Sequence, residues 1–469
     1  MKILLGYQTT NTTRSKGTSG QHLVNLYAEM NPEGAEYPFN IYGTPGYIQW
    51  ADMESTKAIQ GMQVMGGLLY VVTGNTVYKV TTAGVKTSLG TLTGSEGRVD
   101  MCNNGTQMFI KTPDGEAWFA TSAALTKVVD ADYPSASSAT FLDGFFIVSK
   151  TSSGQFNISA SYDASAWDAL DFATAEETPD NLVRVFAFNG ALWLFGETSY
   201  EVYYNSGNAD FPFDQIQGAV NTTRGCAAAF SVVQEDNSMF FLGNDRIVYR
   251  VEGYNPVRIS THAMETIFND MTTISDAFGF VHELDGHKFY ILTFPSESET
   301  WAYDISNGLW AKRTTLYGFQ PRQWSANAHA VFAGKQLVGH NLNGKIYELS
   351  PVTYTEAGTA IERIVQGSVQ WFEGQRVTYD NVRLDMDEGV GLITGQGSDP
   401  QVMMRYSDDG GNTWSNENWR GFGKIGEYRK RAVWRRLGSA GERIFEFKVT
   451  DPVPVRITGC YADGRIGRT

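Results

Sequence analysis

FNGALWLFGETSYEVYY, residues 188–204, decides how this chain is read. Asn189-Gly190 is a pair that readily takes the φ > 0 angles of a type I′ turn, so it predicts a hairpin. The run that follows, Ala191-Leu192-Trp193-Leu194-Phe195, is apolar at every position, which predicts a strand covered on both faces. A polar corner, Gly196-Glu197-Thr198-Ser199, then leads to a second aromatic run ending Val202-Tyr203-Tyr204.

The same unit recurs. Gly66-Gly67, Asn104-Gly105, Asp143-Gly144, Asn189-Gly190, Asp236-Asn237, Asp285-Gly286 and, most weakly, Ala333-Gly334 each precede an apolar run and then a second β-rich run. The second turn residues fall at 67, 105, 144, 190, 237, 286 and 334, giving intervals of 38, 39, 46, 47, 49 and 48. Self-similarity at about 40–50 residues with β-type segments points to propeller blades. Stacked blades also explain strands that are apolar on both faces. Unrelated hairpins in a sandwich would use similar turns but would not hold the period so steadily. The fold expected is all-β, a β-propeller of about seven blades. Six or eight stay open, because a ring can close with strands from both ends.

The rest of the chain divides around that ring. Residues 1–56 are expected to form an N-terminal arm and ring-closing strands, 57–350 the propeller, and 351–469 an additional β-sandwich-like domain. Within 57–350 no helix is expected, except that Tyr162 to Pro179 (YDASAWDALDFATAEETP) reads as a short helix or loop on one rim. Thr9 to Ser19 is polar and turn-rich and reads as a loop or arm. Met1 to Gln8 has too short an apolar core for a signal peptide, and no run approaches a membrane span. Cys102, Cys226 and Cys460 form no metal pattern and cannot all pair, which favours a reduced compartment.

The net charge of −14 argues against general nucleic-acid binding. Its distribution is uneven: residues 401–469 carry 13 Lys+Arg and 8 Asp+Glu, a balance of +5, so the first 400 residues carry −19. The cluster Arg429, Lys430, Arg431, Arg435 and Arg436 alternates with apolar Ala432, Val433 and Trp434. It reads either as a solvated strand face or as a contact with an acidic protein or DNA.

VNLYAEMNP and YGTPGY near the N-terminus resemble the packaged-DNA stabilisation proteins of short-tailed bacteriophages, also called tail hub or nozzle proteins. Further matching stretches are LWLFGETSYE at 192–201, FPF at 211–213, RGC at 224–226 and YNPVRIS at 254–260. The C-terminal YSDDGGNTWS and GEYRKRAVWRRLG complete the set. The resemblance implies a virion protein made in the host cytoplasm: a ring of identical subunits, six in number, below a head-to-tail adaptor or portal. A tail needle and fibres or spikes would dock to it. DNA would pass through without specific binding, past a lumen partly lined by the acidic excess of residues 1–400.

Candidates for chemistry are few. Ser407, Asp409, Gly411 and Trp414 fit the Asp-box pattern S-x-D-x-G-x-T-W, a turn in which the Asp side chain satisfies backbone N–H groups. Sialidases carry such boxes, which keeps a sialidase-like glycosidase or carbohydrate-binding propeller as the alternative. Glu201 and Tyr203 share a strand face, as a Tyr nucleophile and its carboxylate would, but no arginine triad can be assembled. Gly421 to Gly426 has the letters G-x-G-x-x-G without a strand-turn-helix context. His282, Glu283 and His287 lack zinc-ligand spacing and read as surface polarity about a turn. No catalytic residue, cofactor or metal site is expected.

Overall fold

The computed structural model describes residues 2, 3, 5, 11, 12 and 20–467. Most of Met1 to Gln8 and of Thr9 to Ser19 therefore lies outside the described residues.

Blade 4 explains the pattern. Leu182–Phe188, Ala191–Gly196, Tyr200–Asn205 and Phe213–Asn221 pair in order as an antiparallel meander. Asn189 (φ 50°) and Gly190 (φ 72°) make the expected turn. In the strand they launch, Leu192 and Leu194 join a core with Ile147 and Phe156 of the preceding sheet. Trp193 and Phe195 join another with Met239 and Phe241 of the following sheet. Successive side chains alternate faces and both faces meet a neighbouring blade, so the whole run is apolar.

Seven such sheets form the ring. The other complete meanders begin at Ile59–Met65, Asp100–Asn103, Ala136–Leu142, Val233–Glu235 and Phe278–Leu284. Blade 7 takes three strands from its own segment, Ala326–Phe332, Lys335–His340 and Lys345–Ser350, and its fourth, Gly46–Asp52, from near the N-terminus. The first strand of blade 7 meets that of blade 1, where the Asn327 side chain donates to the Ile59 carbonyl at 2.6 Å. Six of the seven turn pairs have φ > 0 at both residues. Blade 2 differs: Asn103 and Met108 are joined through four residues, and Asn104 Oδ1 accepts from the Thr106 and Gln107 N–H groups. An Asx turn has replaced the two-residue hairpin.

Ring closure is tight at Gly46. A Cβ there would lie 1.9 Å from the Thr355 carbonyl oxygen, against backbone that cannot swing aside. Gly46→Ala is expected to cost about 1–3 kcal/mol through overpacking. Thermal unfolding would read it as a lowered midpoint, and an unchanged midpoint would show that closure at this strand is loose.

Thr314–Tyr317 and Gln320–Gln323 pair as a separate hairpin, Thr355–Glu356 and Thr359–Ala360 extend the blade 7 sheet, and most of the other strands form a β-sandwich. One sheet runs Gly20–Val24, Arg363–Gln366, Glu442–Val449, Gln401–Ser407 and Asn418–Gly421. The other runs Leu26–Met30, Phe39–Gly43, Arg456–Ile466, Val377–Met386 and Ala432–Arg435. Leu26, Val365, Leu384, Met404, Trp434, Phe447 and Ile457 fill the space between them. Among the described residues before 57, Gly46–Asp52 enters the ring and the strands of 20–43 build the sandwich, Gly20–Val24 also joining the outer strand of blade 6 through Val24 and Lys312. The two bodies meet at Asn25 (φ 53°), whose amide donates to the carbonyls of Thr314 (3.0 Å) and Glu362 (2.8 Å). Its Oδ1 accepts from the Thr314 N–H at 3.0 Å.

Four expectations are corrected. Within Tyr162 to Pro179, Trp167–Thr174 is the outermost strand of blade 3, not a helix or rim loop, with Asp168 exposed and Asp171 partly buried. A helix does interrupt the repeats: His262–Asp270, capped by Thr261 and burying Met264 and Phe268 between blades 5 and 6. The alternating letters of Val377-Thr378-Tyr379 and Val382-Arg383-Leu384 read as two short strands, but they belong to one, Val377–Met386, with a register shift near Asn381. His282 is not surface polarity: it is buried, with its ring stacked on Phe289.

Candidate functional site

The basic cluster lies at the end of the sandwich. Ala432–Arg435 is the edge strand of its sheet, paired only with Val377–Met386. Ala432 and Trp434 turn inward and are buried, so Arg435 turns outward, and Arg436 follows with φ 59°. The open edge is capped by side chains: Arg420 Nε donates to the Val433 carbonyl (3.0 Å), and Trp434 Nε1 to the Asn418 carbonyl (2.8 Å). Such capping deters unwanted strand pairing.

The five cations are not equivalent. Lys430 is partly buried and sits 3.6 Å from Asp399 and 3.3 Å from Glu427, so its charge is compensated within the chain. Arg429, Arg431, Arg435 and Arg436 are exposed and have no ion-pair partner among the described residues. Beside them stand three apolar side chains that sequence reasoning missed: Trp419 (52 % exposed), Ile425 (59 %) and Tyr428 (72 %). Arg, Trp and Tyr are the residues most enriched in protein–protein contacts, because each offers a large surface at small ordering cost. Trp419 lies on the strand Asn418–Gly421, and Ile425 and Tyr428 on the loop that leads from it to the arginines. The same loop contains the G-x-G-x-x-G letters, with no helix behind them.

The Asp-box is built as a turn. Asp409 Oδ1 accepts from the Ser407 hydroxyl (2.7 Å) and from the Thr413 N–H (2.8 Å), and Ser407 Oγ accepts from the Gly411 N–H (2.8 Å). Trp414 lies under the Arg405 guanidinium, 4.6 Å from ring centroid to carbon. Hydrogen bonds from Thr413 and Ser407 hold the Asp409 carboxyl at about 2. The motif is consumed by its own backbone and presents no reactive group.

Glu201 and Tyr203 do meet, with the phenol donating to Glu201 Oε2 at 3.1 Å. Gln215 (3.0 Å) and the Glu177 N–H (3.1 Å) occupy the remaining acceptor positions. Burial raises both groups, and Tyr203 belongs to the core between blades 3 and 4. The pair is an inter-blade hydrogen bond rather than the floor of a cleft. Cys102, Cys226 and Cys460 are free and buried. Among the described residues no three His, Cys, Asp or Glu side chains gather as metal ligands, and no helix is long and apolar enough to cross a membrane.

Burial depresses several histidines: His22 and His340 to about 4, and His282 well below its ordinary value. A histidine whose folded value is lowered is protonated first in the unfolded chain, so stability is full at neutral pH and lost as pH falls from about 6.5 toward 4. Each site adds a slope approaching about 1.4 kcal/mol per pH unit in that window. Asp409 loses its contribution only lower, as pH drops from about 3.9 to about 2. Thermal midpoints recorded from pH 7 to 4 should therefore fall steadily; a flat profile would contradict the burial of these rings.

The described residues thus form a seven-bladed propeller carrying a β-sandwich, with exposed arginines at the end of the sandwich. Family comparison gives it a place: residues 2–354 match "Bacteriophage P22 Gp10, beta-propeller" and residues 362–465 match "Bacteriophage P22 Gp10, beta-sandwich". The chain belongs to this family of packaged-DNA stabilisation proteins, and is a structural protein of the phage virion. No curated protein matches it in sequence. Among solved structures it is similar to the WD40 β-propeller domain of Doa1, at 13 % identity and TM-score 0.41, over 66 % of this chain and 97 % of that one. The extracellular domain of a putative one-component system, BT4673 of B. thetaiotaomicron, gives 8 % identity and TM-score 0.44, over 88 % and 59 % respectively. The designed protein Ika8 gives 9 % and 0.37, over 64 % and 99 %. At these values the likeness carries nothing about function.

Proposed function

We propose that this chain is the hub or nozzle subunit of a short phage tail. Six copies form a ring beneath the portal or its adaptor, retain the packaged DNA, and carry the needle and the fibres or spikes. The observation that supports this most is the sandwich face where Arg429, Arg431, Arg435 and Arg436 lack partners beside exposed Trp419 and Tyr428. Uncompensated arginines on an acidic chain suit an acidic partner, and a neighbouring copy is one. A surface of the matching kind lies along and just past the outer strand of blade 3, where Asp168 precedes and Glu176 follows exposed Leu170 (81 %) and Phe172 (39 %). Each contact in such a ring needs on the order of 800 Å² per partner. The lumen is acidic or neutral, because phosphate-neutralising lysines would hold the duplex in place. The test is to mix the purified chain with portal–adaptor particles: co-sedimentation as a ring supports the reading, and a chain that stays monomeric and unbound at high concentration refutes it.

A further inference from the structure

The first strands of the seven blades all start on the same face of the ring, and residues near those starts enclose a cavity of about 200 Å³ on the axis. Its walls carry an unusual charge. Arg98 enters from the segment before Asp100–Asn103, with its guanidinium 3.6 Å from the Phe278 ring centroid. Its Nη2 donates to the Asn327 carbonyl and to Asn327 Oδ1, both at 2.8 Å, which leaves Nε and Nη1 open to a further acceptor. Arg184, from the first strand of blade 4, is 8 % exposed; it pairs with Asp100, and its Nε is buried without a partner. Lys111, 4 % exposed, lies behind the wall and donates to the Ser137 carbonyl at 2.8 Å.

These cations surround one ring. Arg98, Lys111 and Arg184 stand 5.7, 5.9 and 5.7 Å from the Phe230 centroid. Asp100 is the one carboxylate lining the cavity, and the Ala139 N–H also claims it at 2.8 Å. Three positive charges thus stand near one negative charge about an open-mouthed axial cavity, Arg184 and Lys111 buried and Arg98 partly exposed. Buried charges need a partner, and the cost of leaving one unpaired is large. Burial lowers Arg98 to about 9, with no carboxylate near enough to offset it.

The geometry points to a small oxyanion of phosphate size as the missing partner. It sits on the axis against the open Nε and Nη1 of Arg98, within the field of Arg184 and Lys111. The cavity is below the roughly 300 Å³ at which drug-sized ligands are held, so a nucleic-acid strand does not fit. Because the cations come from blades 2 and 4 and Asn327 from blade 7, an anion there ties distant parts of the ring together.

The experiment is calorimetric titration and thermal unfolding of the full chain with inorganic phosphate, against chloride and acetate at matched ionic strength. Wild type is expected to bind one phosphate per chain saturably, with a midpoint that climbs with phosphate concentration. Arg98→Gln should weaken binding at least ten-fold, and the exposed control Arg436→Gln should leave it unchanged. Absence of saturable binding, equal loss in both variants, or a response to acetate alone would overturn the assignment. Should Arg98→Gln fail to fold, wild-type crystals soaked in selenate decide the matter. An anomalous peak in the axial cavity supports the site, and its absence at saturating selenate removes it.

Discussion

Trp193→Ala is expected to lower stability by about 3–5 kcal/mol, the range for emptying a large buried aromatic site. Trp193 is 2 % exposed and lies 5.5 Å from Tyr200, 5.9 Å from Tyr254 and 6.0 Å from Phe195, centroid to centroid. Phe195 and Tyr200 are held by pairing with each other's strands and cannot collapse into the space. The loss is a large part of the 5–15 kcal/mol that ordinary domains possess. Because the indole fills the boundary between blades 4 and 5, the variant should open there first. Hydrogen exchange would then quicken in Leu182–Phe188 and Ser238–Leu242 before it does in the sandwich. A variant with wild-type stability would mean that the blades are not sealed by these doubly covered strands.

The second large effect concerns assembly. Reversing Arg429, Arg431, Arg435 and Arg436 together to glutamate should leave the fold intact, since all four are exposed without partners. Association into the ring should weaken by on the order of 100-fold or more, because like charges would then face the acidic neighbour. Raising salt should weaken wild-type assembly and relieve part of the defect in the variant, as expected for solvent-accessible charges. If blade 3 is the facing surface, Asp168→Lys with Glu176→Lys should restore some association to the reversed chain. A quadruple variant that assembles normally would assign the cluster to a solvated strand face. Lys430 is left out on purpose, since its bonds to Asp399 and Glu427 make it part of the sandwich.

The ring was legible because its signals are local. Asn189-Gly190 readily takes φ > 0 from its own letters, and Ala191 to Phe195 is apolar because two neighbours cover it. The same reading failed where the cause was not local. Trp167–Thr174 is an outermost strand whose pairing is interrupted between Trp167 and Phe172, and its exposed Asp168 and partly buried Asp171 imitate a rim loop. His262–Asp270 spans nine residues, too few for helical periodicity to stand out; Thr261 with Met264 and Phe268 was the available clue. The placement of Gly20–Val24 beside Arg363–Gln366 depends on pairing across more than 300 residues, which no short pattern encodes. Of the candidate site, the arginines could be named but not sorted. The separation of Lys430 from the other four depends on Asp399, some thirty positions away. The axial cations were invisible for the same reason, being brought together from blades 2 and 4 only when the ring closes.

Cryo-electron microscopy of portal–adaptor particles bound to the purified chain tests the central claim most directly. The account predicts a closed ring of propellers coaxial with the portal, sandwich arginines at a subunit boundary, and a lumen of acidic or neutral character. Isolated propellers scattered off the axis, or a ring whose channel is strongly basic, would contradict it.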